Sequence, residues 1–298
     1  MSISVIGESN IDVSVRPATG SPSASGAFCK PCRIEFHHGG VGRNIAHNLS
    51  LLGHKVLLAS VFGDDNFAKG MMEECKALGI DLSMSTQAKG SKSPIFLAFN
   101  DASGNLENAF SDVETNNQMD LHWMTSRTDR INLSDLVVAN TILSAEAIAH
   151  LIDHCTKPLY LDTVSPGRAT RLSQALQMSE RKEVHTLKCN LGEATATTSA
   201  TDPEQAAKLL NHLGIRNVYI TLGADGVVYC SNSTTKHFQA LEAQIVDVTG
   251  SGDAFLAGIV HANSLGLHGA EAVRIGLMAA KKTIESEGTV NPEINAFF

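Results

Sequence analysis

The residues best suited to do chemistry in this chain are Gly250-Ser251-Gly252-Asp253. Two glycines beside a helix start let backbone N–H groups converge on an anion, helped by the positive end of the helix dipole. A carboxylate in the same turn would repel a bound phosphate unless it has a task of its own. Asp253 therefore reads as a base that takes the proton of an attacking hydroxyl. The amides of Gly250, Ser251 and Gly252 would hold a phosphoryl group in transfer. That is phosphoryl transfer to an alcohol, the chemistry of a small-molecule kinase.

Other polar positions fall where short apolar runs end. Asn10 and Asp12 follow Ile3–Ile6, and Gly63-Asp64 follows Leu57–Phe62. Asn190 follows Leu187-Lys188, Gly223 follows Tyr219–Leu222, and the 250–253 turn follows Ile245–Val248. Ligands gather at the carboxyl ends of strands in open parallel sheets. Turn chemistry would explain any one of these residues, so their shared placement carries the argument.

Gly39-Gly40-Val41-Gly42-Arg43-Asn44 admits three readings. A dinucleotide fingerprint needs a small residue where Ile45 stands and a buried strand where Glu35-Phe-His-His38 stands. A glycine-rich start to a helix explains the glycines alone. A close backbone approach to a polyhydroxyl ligand also explains Asn44, which offers both donor and acceptor. Asn190 and Glu193, at i and i+3, share a helix face. They make a capping box, or an exposed carboxylate that holds magnesium through water, or both. In Thr221-Leu-Gly223-Ala-Asp-Gly226 a strand end meets a tight turn, where Gly223 would admit a ribose or phosphate. Cys29-Lys-Pro-Cys32, followed by His37 and His38, has half the ligands of a zinc or redox site and otherwise reads as surface loop or strand.

These positions need elements to hold them. Leu136–Ala139, Leu159–Leu161, Thr186–Lys188 and Asn217–Leu222 read as short strands between helical stretches. Lys55–Phe62 reads as one buried strand, with helices over 44–52 and 66–79. The alternation predicts an α/β fold, a parallel sheet with helices on both faces. Ile11–Val15 and a hairpin, Pro94–Phe99 and Leu106–Phe110 around Asn100–Gly104, break the rhythm and predict a small antiparallel sheet. Thr234–Ala240 reads as strand and surface. Residues 17–27, rich in Pro, Ser, Gly and Ala, read as a loose loop. No repeat or linker divides the chain, so one domain over 1–298 is expected.

Composition narrows the partners. The net charge of −8 and the lack of a Lys/Arg run argue against a nucleic-acid polymer. No apolar run approaches the roughly 20 residues of a membrane span, and the N-terminus lacks the pattern of a signal peptide. Six scattered cysteines then suggest a reduced, cytoplasmic protein.

Ser9-Asn10-Ile-Asp12, Gly39-Gly40 with Asn44, Asn190-x-x-Glu193, Thr221-x-Gly223 and Thr249-Gly-Ser-Gly-Asp253 occur in one order along the chain. In this the chain resembles the PfkB, or ribokinase-like, carbohydrate and nucleoside kinases over nearly its whole length. Gly39–Ala46, Asn48-Leu, His185-Thr-Leu-Lys188 and Thr289-Val-Asn-Pro292 are similar to the pseudouridine kinase subgroup. The resemblance implies a three-layer α/β/α fold with a mostly parallel sheet and a small β-sheet lid from about 11–38 and 93–112. It implies ATP-dependent phosphorylation of the 5′-hydroxyl of a ribosyl nucleoside, pseudouridine first, with ribose, fructose or adenosine as alternatives.

Asp253 would be the base and Gly250, Ser251 and Gly252 the anion hole. Asn10, Asp12, Gly39, Gly40 and Asn44 would bind the ribosyl hydroxyls, and Ser93 and Asp112 the base. Asn190, Thr221, Gly223, Gly226 and Thr249 would lie along ATP. Glu193 would organise Mg²⁺ through water, and Asp247 and Thr249 a monovalent cation such as K⁺. The lid would serve a homodimer. Three features depart from the family pattern: Ser251 stands for the usual Ala, Cys189 for the usual Pro, and the chain stops at Phe298 where relatives continue into a helix. A sensor that binds nucleotide without turnover is a further reading, against which an intact Asp253 speaks.

Overall fold

The computed structural model describes residues 1–17, 31–101 and 106–297. Cys29, the loop over 18–27, the hairpin tip at 102–104 and Phe298 lie outside the described residues. The chain opens with β1 (Ser2–Ile6), β2 (Asn10–Pro17), β3 (Cys32–Gly39), α1 (Val41–Leu51), β4 (Lys55–Ala59) and β5 (Val61–Phe62). Next come α2 (Asn66–Ala77), β6 (Thr86–Gln87), β7 (Ile95–Asn100), β8 (Leu106–Asp112), a 3₁₀ turn over Glu114–Gln118, α3 (Leu121–Thr125) and α4 (Thr128–Ile131). An alternating run follows: β9 (Leu136–Asn140), α5 (Ala145–His154), β10 (Leu159–Asp162), α6 (Pro166–Met178), β11 (Val184–Asn190) and α7 (Leu191–Thr198). The rest is α8 (Pro203–His212), β12 (Ile215–Thr221), β13 (Val227–Ser231), β14 (Thr234–Phe238), α9 (Ser251–Ser264) and α10 (Ala270–Ile284).

The main sheet runs β14-β13-β12-β11-β10-β9-β1-β4. Only β13 and β14 are antiparallel to their neighbours. β1 pairs in parallel with β4 on one side and β9 on the other, so the winding reverses between β1 and β9. Such a reversal opens a crevice beyond the carboxyl ends of the two strands. Glu8 and Asn140, at those ends, meet there: Asn140 Nδ2 donates to Glu8 Oε2 at 2.7 Å.

Successive side chains of a strand point to opposite faces, and the core divides accordingly. Leu136 and Val138 of β9 join Ile45 and Leu49 of α1, Phe255 and Ile259 of α9, and Val273 of α10. Val137 and Ala139 join Ile148 and Leu151 of α5, Leu172 of α6 and Leu210 of α8. The layers are helix, sheet, helix.

A second sheet has the order β3-β2-β7-β8. It is mixed rather than antiparallel, because β7 reaches β2 from the body of the protein and pairs with it in parallel. Its Ile11 and Val13 are buried, whereas Ile34, Phe36 and Phe110 are exposed. Two further expectations change. Lys55–Phe62 breaks at Ser60, and β5 leaves the main sheet to pair with β6. Ile245–Val248 is not a strand. β14 already ends the sheet, and the amides of Val246 and Asp247 donate instead to the Ile284 carbonyl at the end of α10, at 2.9 and 3.2 Å.

Candidate active site

α9 begins at Gly250, whose φ of 76° is left-handed, and no side chain caps it. The amides of Gly252 and Asp253 in its first turn are thus left for an anion. A Cβ at Gly250 would collide with the Thr289 carbonyl, so the turn requires glycine. Ser251 turns its hydroxyl back to the Val248 carbonyl at 2.8 Å, and its amide donates to the same carbonyl at 3.4 Å, so the amides of Gly252 and Asp253 are the ones left facing the site.

Asp253, in the first turn of α9, is 7% exposed. Asn44 Nδ2 donates to its Oδ2 at 2.9 Å. Burial, then the negative charge of Asp162, pushes its carboxyl up to about 8, against the opposing pull of Lys188 and Asn44. A carboxylate with so high a proton affinity suits a base working near neutral pH. Asn44 is itself fixed. Its Oδ1 accepts from Arg43 and from Thr289 Oγ1, each at 3.1 Å, which orients its Nδ2 toward Asp253.

A buried ion pair at this site escaped sequence reasoning. Lys188 at the end of β11 donates to Asp162 Oδ2 at the end of β10, at 2.9 Å, and both are buried. Burial works against the ammonium, but the charges of Asp162, Glu193 and Asp253 outweigh it and raise its pKa. A Cβ at Gly252 would come within 2.6 Å of Lys188 Nζ, so the ammonium lies directly against the amide turn of α9. Positive charge and free amides thus meet at one point.

The Asn190–Glu193 pair forms a complete capping box on α7. Glu193 is 2% exposed, not the open carboxylate expected for magnesium. The cap folds it inward: Oε1 accepts from Asn190 Nδ2 at 2.8 Å, and Oε2 from the Asn190 amide at 2.8 Å and Thr163 Oγ1 at 2.7 Å. Asn190 remains exposed, paired across the sheet with Thr221. Beyond Thr221, Gly223 stands open, with nothing near the place of a Cβ. Gly226 is different: a Cβ there would strike the Phe238 carbonyl, so this glycine serves the turn.

Asp253 opens on a cavity of about 440 Å³ whose wall also carries Glu8, Asn10, Asp12, Asn44 and Arg168. Gly40, Thr249 and Gly250 line it as well. Asn10 Nδ2 donates to Asp12 Oδ1 at 2.6 Å. Burial pushes the Asp12 carboxyl up to about 6 despite that bond. The Asp12 carboxylate fills the space a Cβ on Gly39 would need. Glu8 and Arg168 were not foreseen, although each stands shortly after a strand end. Burial raises the Glu8 carboxyl, and the Asn140 hydrogen bond opposes that. Asp247 accepts from the Thr249 amide at 2.9 Å and borders a neighbouring cavity of about 380 Å³, which shares Asp12 and Thr249 with the first.

Two expected base contacts are not brought to the large cavity. Ser93 is buried and donates its hydroxyl to Asp65 Oδ1 at 2.7 Å, where it helps hold the start of α2. Asp112, exposed at the end of β8, accepts from the Glu114 amide at 3.3 Å, while its neighbours Ser111 and Val113 line the cavity. The dinucleotide reading also fails. β3 belongs to the second sheet, and Gly42 packs against the backbone of Gly7. Cys32 is exposed and free, and no group of three or more His, Cys, Asp or Glu among the described residues is set to hold a metal.

The profile of the pfkB family carbohydrate kinases matches residues 1–296. The chain belongs to this family. It is 28% identical to the pseudouridine kinase of Escherichia coli K12 over 98% of this chain and 93% of that one. A carbohydrate kinase from Agrobacterium tumefaciens superposes with a TM-score of 0.81 at 26% identity, covering 97% of this chain and 92% of that one. The ribokinase of Thermotoga maritima superposes at 0.82 and 22% identity, covering 99% and 98%, and bears on the fold alone. As a PfkB kinase the protein is a phosphotransferase acting on a sugar or nucleoside hydroxyl, and the family implies ATP and Mg²⁺. The arrangement fits both. Free amides and Lys188 suit phosphate, and a magnesium ion that keeps most of its waters needs no cage of carboxylates. Among the described residues no helix is long and apolar enough to cross a membrane.

Proposed function

We propose that this PfkB kinase phosphorylates the 5′-hydroxyl of a ribosyl nucleoside, pseudouridine before others. The observation that carries the reading is Asp253, buried at the start of α9, hydrogen-bonded to Asn44, and facing a cavity large enough for a nucleoside. The pseudouridine kinase relative and the motifs around Gly39–Asn44 support the choice of substrate.

Asn10, Asp12 and Asn44 orient the sugar so that its primary hydroxyl meets Asp253. Asp253 accepts the hydroxyl proton as that oxygen forms its bond to the γ-phosphorus and the bond to the ADP oxygen breaks. The first-turn amides of α9 and the Lys188 ammonium carry the charge of the phosphoryl oxygens. Asn190 and the Glu193 cap would help hold magnesium, which would neutralise phosphate charge. The sheet containing β2, β3, β7 and β8 acts as a lid that excludes water. Its exposed Ile34, Phe36 and Phe110 suit a homodimer contact. Asp247 and Thr249 would hold a monovalent cation, and potassium would then raise turnover.

The test is ADP release with pseudouridine, uridine, adenosine, ribose and fructose, with magnesium and with or without potassium. The highest kcat/KM is expected with pseudouridine. Preference for a free sugar over every nucleoside overturns the nucleoside reading. ATP binding without ADP release on any acceptor overturns the kinase reading and leaves a sensor.

A further inference from the structure

The lid side of the large cavity holds a polar group that nothing in the protein satisfies. Asn116 lies in the 3₁₀ turn that follows β8, on the cavity wall, and is 2% exposed. Neither its Oδ1 nor its Nδ2 has a hydrogen-bond partner. Buried carboxamides rarely go unpaired, and leaving one so is costly. The backbone around it is pinned: the Asn116 amide donates to the Val113 carbonyl, its own carbonyl accepts from Met119, and neighbouring Thr115 Oγ1 donates to Lys92. The terminal torsion of asparagine is broad, so the carboxamide can turn to meet a ligand. The same cavity wall carries Ile95, Phe96, Val113, Ile142 and Val164. Asn116 is thus an unpaired donor–acceptor pair on a wall that also carries those five apolar side chains, a combination suited to fixing a ligand's orientation.

We propose that Asn116 is the specificity-determining residue for the base, reading an edge where a ring C=O stands beside a ring N–H. A carboxamide matches that edge with one acceptor and one donor. The five apolar side chains suit the faces of a planar ring. The substrate class is therefore nucleosides with a lactam or imide edge. Ribose offers nothing for this group to bind. The inference rests on the nucleoside reading above and adds to it the residue that selects the base.

The experiment compares wild type, Asn116→Ala and Asn116→Ser on three acceptors. These are pseudouridine, the C-riboside of phenyl, whose six-membered ring lacks N–H and C=O, and ribose. Loss of hydrogen bonds to a buried edge should lower kcat/KM for pseudouridine about 10- to 100-fold in the Ala variant. The same change should leave the phenyl riboside and ribose within about threefold, as a purely structural role would not. The Ser variant, which restores one polar atom, should fall between. An equal loss on all three acceptors, or no loss on pseudouridine, overturns the assignment of Asn116. Wild type that phosphorylates ribose but neither riboside overturns the nucleoside reading itself, and the inference with it. Melting curves of both variants identify any failure to fold, in which case binding of pseudouridine and of the phenyl riboside to Asn116→Asp decides by the same difference.

Discussion

Replacing Asp253 by Asn should remove catalysis and, over a defined pH range, stabilise the fold. The carboxyl titrates near 3.8 in an ordinary setting and is pushed up to about 8 here, first by burial and then by Asp162. Between those values the native protein keeps a proton that the unfolded chain has released. Unfolding then releases a proton, so stability falls as pH rises, by about 1.4 kcal/mol per pH unit. Across the whole window this amounts to on the order of 5 kcal/mol, an upper limit because other groups share the charge. Asp253→Asn lacks this penalty. Its advantage over wild type should be small near pH 4 and grow steadily toward pH 8. For a chain of this size the gap in Tm should widen by roughly 2 °C per pH unit. Thermal unfolding of both proteins between pH 5 and 7.5 measures it, since titrations common to the two cancel. Turnover of the variant should fall about 10²–10⁴-fold. Wild-type kcat/KM should climb with pH toward a plateau above about 8, where the carboxylate is free to accept a proton. A constant Tm gap would show that Asp253 ionises normally in the fold. Retained turnover in the variant would remove it from proton transfer.

Asp12→Asn keeps the shape beside Gly39 but loses the anion, and should raise KM for the sugar acceptor at least about tenfold with little change in kcat. An unchanged KM removes Asp12 from sugar binding. Gly252→Ala places a Cβ within 2.6 Å of Lys188 Nζ, the far end of a flexible chain, so it should lower turnover about tenfold while Tm shifts by less than about 3 °C. Full activity in that variant would separate Lys188 from the phosphoryl group. Lys188→Met leaves Asp162 buried without its partner and should cost about 3–5 kcal/mol in denaturant unfolding, most of it recovered in the Lys188→Met/Asp162→Asn double variant. A double variant as unstable as the single one would show that packing, not charge, is at stake.

What the sequence disclosed, and what it withheld, follows from how far apart the interacting residues lie. Asp253, Asp12, Asn44 and the glycines beside them were legible because each sits in a local pattern of turn, glycine and helix start. Lys188 and Asp162 meet because β10 and β11 pair in parallel with those two residues in register, and no local pattern states a register. Glu8 and Asn140 meet across the reversal between β1 and β9, which exists only once the whole sheet has formed. Ile245–Val248 misled for a related reason. Strand propensity reflects the fit of a side chain to a half-buried sheet surface. These residues have no sheet edge to join, and Ile245 is 74% exposed. Asp112 and Ser111 are neighbours at the end of β8, and only the 3₁₀ turn that follows the strand decides which of them meets the cavity. Asn116 gave no local sign at all, since an unpaired carboxamide becomes visible only when every neighbour that could have paired with it has been placed. The positions proposed to carry the chemistry could therefore be read along the chain, whereas those proposed to tune its charge and select its substrate depend on contacts that only the completed sheet creates.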